Sequence, residues 1–250
     1  MRMSGRLAAA IVASAALMAS VASPLTAQAP APASAWKTAG SIDAGFVSAT
    51  GNTELTTLSA GNTFSATIAS WTFSQSLAYV YGKTSGKESA NQLRIGMRTD
   101  VAATSKVGAF VAATFERNAY AGFNVRIEEL LGVQWKLLAD SADALTIDAG
   151  GLVTQQENTD GTSVRSPSAR EAAAYKHTFK ANTFFTQTIE HITKLDEGGA
   201  YRVNAESALV APIAKSISLK LGYVVQFNSR PPVKFGSTDR VFTSGLQISF

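Results

Sequence analysis

The sequence predicts an all-β protein, a single transmembrane antiparallel up-and-down β-barrel of about 12 strands with both termini on the periplasmic side. Three observations carry this prediction. The 250 residues are 46% apolar but only 16% charged, against roughly 25% charge in soluble globular proteins. The apolar residues alternate with polar or small ones, and the chain ends on an aromatic residue, Phe250, within such a segment.

The N-terminus has the layout of an export signal. Arg2 and Arg6 precede an apolar, alanine-rich run, and small residues with proline follow it. A transmembrane anchor is the alternative, but the run is short for the roughly 20 residues that span a bilayer. The expected organisation is a signal peptide over residues 1–29 with cleavage between 27 and 35, a short linker over 30–35, and an outer-membrane β-barrel over 36–250.

Alternation with a period of two defines the strands. From Trp71 to Tyr81 the odd positions are large or aromatic apart from Gln75, while the even positions are mostly small or hydroxylated. Successive side chains of a strand point to opposite faces, so one face is expected to meet lipid and the other the lumen. The expected segments are 36–49, 54–68, 71–82, 90–101, 106–117, 123–137, 144–157, 169–180, 183–194, 200–211, 217–228 and 238–250.

The connections and aromatic residues give the orientation. Short connections near 69–70, 102–105 and 181–182 alternate with longer ones such as 158–168 and 229–237. Outer-membrane barrels have short periplasmic turns, which puts both termini at the periplasmic end. A periplasmic aromatic girdle is expected from Trp36, Trp71 and Trp135, and an outer girdle from Phe46, Tyr81, Phe115, Phe123, Tyr201, Phe227 and Phe242.

The last segment has the pattern of an assembly signal. Phe242, Leu246, Ile248 and Phe250 share one face of the terminal strand. We expect this signal to engage periplasmic chaperones and the barrel-assembly machinery, and the finished barrel to contact outer-membrane lipid and lipopolysaccharide. An ordinary amphipathic edge strand is the alternative. A soluble β-sandwich is the rival fold, and it would have to bury the aromatic face against a second sheet.

The inward face is expected to carry a network of opposite charges. It comprises Arg94, Arg98, Asp100, Glu116, Arg126, Glu128, Asp148, Arg170, Arg202 and Glu206, with Asp43, Lys176 and Lys220 on the same face. The two signs are nearly balanced, which favours a lumen crossed by ion pairs over a strongly selective pore. The alternative is a narrow water-filled path through the same lumen, and the sequence does not decide between the two.

Little in the sequence supports catalysis, a cofactor or a metal site, and we expect none of the three. The absence of cysteine excludes disulfides, cysteine-ligated zinc and a thiol nucleophile. His177 and His191 have no serine and acid in phase at catalytic spacing. Glu128 and Glu129 point to opposite faces, and Glu129 would face lipid unless a bulge or a neighbouring strand accommodates it. The chain has no basic run that would suit a nucleic acid.

Three stretches resemble one protein family. They are Gly51-Asn52-Thr53, the segment FERNAYAGFNVRIEELLGVQWKLL over 115–138, and the ending from Pro231-Pro232 through Asp239 to Phe250. They are similar to the YdiY-like family of salt-stress-induced outer-membrane proteins, a domain of unknown function. The resemblance implies a single barrel in the outer membrane of a Gram-negative bacterium and implies no reaction.

The expected function is that of an outer-membrane barrel with a role in the envelope or in stress and a narrow or ion-pair-bridged lumen. A porin-like diffusion channel for small solutes is the first alternative, and a lipid- or peptide-cleaving enzyme is the second.

Overall fold

The structure, a computed structural model, describes residues 35–49, 55–179, 183–196, 198–231 and 235–250. The predicted signal peptide, and all of the linker except Ala35, lie outside these residues. The strands are β1 (Lys37–Ala49), β2 (Leu55–Ile68), β3 (Trp71–Thr84), β4 (Lys87–Ala102), β5 (Val107–Asn118), β6 (Phe123–Ala139), β7 (Asp143–Asn158), β8 (Ser163–Thr178), β9 (Phe184–Lys194), β10 (Tyr201–Pro212), β11 (Ile217–Asn228) and β12 (Thr238–Ser249).

The twelve strands form one closed antiparallel barrel in sequence order, so the predicted fold class is confirmed. Each strand pairs with its neighbours along the chain, and β1 pairs with β12 from Ser41–Ser249 to Ala44–Leu246. We call the end that carries the start of β1 and the close of β12 the terminal end, and the opposite one the loop end. No helix in the described ranges is long and apolar enough to cross a membrane.

The outward face is apolar, as the alternation predicts. Ile42 and Phe46 on β1 are 54% and 64% exposed, and Leu246 and Ile248 on β12 are each 50% exposed. A closed barrel has no second sheet against which these side chains could be buried, which excludes the rival sandwich. A surface of this kind requires an apolar solvent.

The three tryptophans lie on the outward face near the terminal end, as predicted. The rings of Trp36 and Trp71 lie 6.0 and 6.5 Å from that of Phe73, and Trp135 pairs with the first residue of β5. The prediction for Phe123 is wrong. Its ring is 2% exposed and lies beneath an inward-facing guanidinium, because the β6 ladders shift register between Phe123 and Val125.

Two predicted connections are much shorter in the structure. β8 begins at Ser163 instead of 169, which leaves only residues 159–162 between β7 and β8. Pro167 is tolerated within β8 because the ladder to β9 stops at Ser168, so the strand is an edge there. The β3–β4 connection is the two-residue turn Ser85-Gly86. Its φ values are 50° at Ser85 and 73° at Gly86, and glycine at the second position adopts such a positive φ readily.

Glu129 lies on the outward face without a bulge. Its ladders to Ala113 and Val153 are continuous, and the irregularities of β6 fall nearer its two ends. Elsewhere on the outward face, on β2 and β3, the amides of Asn62 and Gln75 form two reciprocal hydrogen bonds of 3.2 Å. Mutual pairing satisfies polar groups that would otherwise face acyl chains unpaired.

We expect Leu221→Lys to lower the free energy of unfolding by about 2–4 kcal/mol, because it places a cation on the apolar face in mid-strand. Leu221 pairs with Leu209 and Ser244 on that face. Reversible urea unfolding in lipid vesicles, followed by tryptophan fluorescence, measures the loss.

The matched control for this substitution is Val224→Lys on the same strand. Val224 faces inward opposite Glu206, so the new ammonium gains a carboxylate neighbour and the cost should be small. Equal destabilisation by the two variants would contradict the assignment of the faces.

Candidate functional site: the charged lumen

The inside of the barrel has two kinds of wall. The inward positions of β1 to β3 that line its main cavity are small or hydroxylated, namely Ala39, Ser41, Thr63, Ser65, Ser74 and Ser76. The inward positions of β4 to β10 carry most of the long charged side chains. Alternation places both sets inside. The charged side chains therefore have room to reach across the lumen.

Arg98 makes one connection across the lumen. It lies on β4, and its Nη1 donates to Oδ2 of Asp148 on β7 at 2.5 Å, three strands away round the barrel. Its Nη2 also donates to Asp100 at 2.7 Å, and its guanidinium stacks 3.7 Å from the centre of the Phe110 ring. Pairing on two sides and stacking below hold this cation in one position.

Arg170 extends the same chain of charges. Its Nε donates to Glu190, and its Nη1 lies 3.8 Å from Asp148. Glu190 also accepts a hydrogen bond of 2.7 Å from Asn204. Within the described part of the chain, Arg170 Nη1 and the nearby Ser168 Oγ are buried without a hydrogen-bond partner. Charges on β4, β7, β8 and β9 thus form one connected array.

Arg202 makes a second connection, nearer the loop end. Its Nη2 donates to Glu128 Oε1 at 2.5 Å, and these residues lie on β10 and β6, four strands apart. Thr154 Oγ1 adds a hydrogen bond of 3.4 Å to the same carboxylate. This pair therefore crosses the lumen and does not follow the wall.

Glu116 lies close to two further arginines in the half of the lumen nearer the loop end. Its carboxylate lies 3.5 Å from Arg94 Nη1 and 3.8 Å from Arg126 Nη1, and it accepts a hydrogen bond of 2.9 Å from Gln92. The Arg126 guanidinium lies 3.8 Å from the centre of the Phe123 ring. The register shift that turns Phe123 inward thus provides the surface on which Arg126 rests.

The charges in this region are deeply buried. Glu116 is 1% exposed, Glu128 and Asp148 are 7% exposed, and Arg202 is 9% exposed. Removing such groups from water costs several kcal/mol per ion, and only close pairing offsets the cost. The stability of each buried charge in the array therefore depends on the opposite charge with which it is paired.

The open space is unequal at the two ends of the barrel. A cavity of about 780 Å³ runs inward from the terminal end, where Ala39, Ser65 and Ser249 line it. Near the loop end a void of only about 40 Å³ lies among side chains that include Phe123, Arg126 and Arg202. The lumen is thus a vestibule at the terminal end and is filled by paired side chains toward the loop end.

The structure brings together most of the predicted network. All of its members except Glu206 form ion pairs, and Lys220 pairs with Asp43 at 2.8 Å. Glu206 instead lines the cavity. Glu190 was not predicted. It lies at an alternate position of β9 with Thr186 and Thr188, on the inward face, and this spacing could have identified it.

The four residues of the predicted assembly signal share the outward face of β12 and are 50% to 68% exposed. Phe250 exchanges two main-chain hydrogen bonds with Gly40, of 2.8 and 2.9 Å. A Cβ at residue 40 would lie 2.7 Å from the Phe250 ring, so glycine there leaves room for the aromatic side chain. The terminal residue is therefore part of the seam that closes the barrel.

The histidines lie outside the lumen. His177 Nδ1 is 2.8 Å from Asp143 Oδ1, which also accepts a 2.5 Å hydrogen bond from the Tyr175 hydroxyl. The His191 ring lies 5.6 Å from that of Tyr201. In the described ranges, no hydrogen bond joins His177 to a serine or threonine side chain, and no group of three or more acidic or histidine side chains could hold a metal ion.

A closed antiparallel barrel with an apolar exterior and a polar, charged interior is the architecture of outer-membrane barrels. The family model described as "Protein of unknown function, DUF481" matches residues 42–250. The chain therefore belongs to the DUF481 family. It is 28% identical over 225 residues to the uncharacterized protein YdiY of Escherichia coli (strain K12), a match that covers 87% of this chain and 86% of YdiY. The predicted YdiY-like family is confirmed.

Solved structures with a similar trace include two barrels. The NanC porin is 10% identical with a TM-score of 0.47, and the match covers 84% of this chain and 97% of NanC. The translocator domain of the autotransporter NalP from Neisseria meningitidis is 11% identical with a TM-score of 0.44, and the match covers 89% of each chain.

Proposed function

We propose that the protein is an integral barrel of the bacterial outer membrane whose lumen is held closed by ion pairs toward its loop end. The apolar outward face, with tryptophans at the terminal end, supports insertion in a lipid bilayer with both termini on the periplasmic side. Export through a cleaved signal peptide, assembly by the barrel-assembly machinery and contact with lipopolysaccharide belong to the same proposal. The family resemblance adds an envelope role under salt stress.

The observation that carries this proposal is the pair Arg202–Glu128. It joins β10 to β6 across the interior, and the Arg94–Glu116–Arg126 cluster occupies the same half of the lumen. Long side chains fixed by opposite charges occupy the volume through which a solute would have to pass. An open general porin would instead leave that volume to water.

Single-channel conductance of the refolded protein in a planar bilayer tests the closed lumen. The unmodified protein should show little conductance. Arg202→Ala should raise the conductance severalfold, because it removes the larger half of a cross-lumen pair and leaves a carboxylate that attracts water.

Lys215→Ala is the matched control for the conductance measurement. It also removes one cation, but from the turn between β10 and β11, outside the lumen, and it should leave the conductance unchanged. A large ohmic conductance in the unmodified protein, unaltered by Arg202→Ala, would contradict the proposal.

A small-solute diffusion channel is the second candidate function, favoured by the cavity of about 780 Å³ and its hydroxyl-lined wall. Liposome swelling with a small neutral sugar would separate the two, since only a channel passes the sugar. The third alternative, a lipid- or peptide-cleaving enzyme, would need a nucleophile beside His177, which already contacts Asp143.

A further inference from the structure

Two charged side chains of the cavity, Lys176 and Glu206, make no close ion pair within the described part of the chain. Most charges that line it are in ion pairs, as with Arg98, Arg170 and Lys220. Lys176 and Glu206 also line the cavity, but neither forms an ion pair with another residue in the described part of the chain. Among the described residues that line this cavity, one cation and one anion thus face the same space without a close counter-charge, although Arg94 lies within electrostatic range of Glu206.

The register places these two groups on the same wall of the barrel, two strands apart. Lys176 on β8 pairs with Thr186 on β9, and Glu206 on β10 pairs with Thr188, two residues further along β9. Both side chains are exposed although they face inward, because the cavity lies beside them. The Lys176 ammonium lies 4.5 Å from the centre of the Phe184 ring, which fixes its position without neutralising it.

We propose that the cavity binds a small zwitterionic solute of the amino-acid class. The carboxylate of the solute would accept hydrogen bonds from the Lys176 ammonium, and its ammonium group would donate to the Glu206 carboxylate. The facing hydroxyls of Ser74 and Ser76 offer further hydrogen bonds to polar groups of the solute. This inference rests on the proposed barrel, but it needs no opening of the loop end, since the cavity reaches the terminal end.

Charge matching favours a zwitterion over a simple ion. A small anion bound at Lys176 would leave Glu206 unpaired and repelled, and a small cation at Glu206 would leave Lys176 in the same state. A solute that carries both charges satisfies both groups in a partly enclosed space, where charge-assisted hydrogen bonds are strong.

The test is ligand-observed NMR on the refolded barrel with three probes: L-alanine, acetate and ethylammonium. The unmodified barrel should bind L-alanine more tightly than either singly charged probe. Lys176→Met and Glu206→Gln should each weaken L-alanine binding about tenfold or more, the loss of one charge-assisted contact. The exchanged double variant Lys176→Glu with Glu206→Lys should recover part of the binding.

The matched control is Lys106→Met, which removes a cation from the exposed turn between β4 and β5 and should leave L-alanine binding unchanged. Acetate binding as tight as that of L-alanine, and insensitive to Glu206→Gln, would overturn the proposal in favour of an anion site. The absence of L-alanine binding by a barrel that keeps its heat-modifiable fold and low conductance would overturn this inference alone. A large conductance would overturn the closed lumen.

Discussion

Replacing Arg202 with alanine should lower the free energy of unfolding by about 3–5 kcal/mol, the cost of removing one partner of a buried ion pair. The charge left behind is Glu128, which is 7% exposed and would keep the weaker hydrogen bond from Thr154 and the longer-range attraction of Arg126 and Arg94. Reversible urea unfolding in lipid vesicles measures this loss. It should exceed the loss caused by substituting any exposed lysine of the turns.

A double-mutant cycle separates the pair from simple loss of packing. Arg202→Met with Glu128→Leu removes both charges and keeps much of the volume, so the double variant should be more stable than Arg202→Met alone. If the two single losses simply add, the ion pair contributes nothing and the closed lumen loses its main support. If the double variant recovers stability, the pair acts as one unit.

Deleting Phe250 should keep most of the protein out of the outer membrane. The deletion removes both main-chain hydrogen bonds to Gly40 and the ring that covers this glycine. The seam then rests on the short ladder from Ser41–Ser249 to Ala44–Leu246, and an unclosed edge exposes unpaired main-chain groups. Membrane fractionation combined with heat-modifiability on gels measures the assembled fraction.

Phe250→Tyr is the conservative control for the deletion, because it retains both the aromatic ring and the main-chain bonds. It should assemble normally, while Phe250→Asp should behave like the deletion. Normal amounts of heat-modifiable barrel from the deletion strain would show that the terminal residue is dispensable for assembly.

The strands could be predicted because alternation reports directly on the two faces of a barrel wall. The predicted segment 217–228 coincides with β11, and 71–82 ends two residues before β3 does. The start of β8 could not be predicted, since a proline in a serine-rich stretch resembles a loop. Only the ladder shows that β8 is an edge at Pro167.

The inward orientation of the charges could be predicted, but their partners could not. The alternation of side chains along each strand is enough to place Arg98 and Asp148 inside the barrel. Their contact depends on the curvature and register of the strands between them, which no local pattern contains. Alternation fails for Phe123, because a local register shift turns its side chain from the outward to the inward face. Alternation along the strands therefore predicts which charged residues line the lumen, whereas their pairing depends on the three-dimensional course of the barrel wall.

The seam between β1 and β12 also sets the order in which the barrel must form. Every other interface joins strands that follow each other in the chain, whereas Ser41 and Ser249 meet from its two ends. By the logarithmic dependence of loop-closure entropy on length, closing this contact first would cost about 3–4 kcal/mol more than closing a hairpin. The hairpins therefore form first, and the sheet remains open-edged until its final step, during which each bare edge can pair with another chain instead.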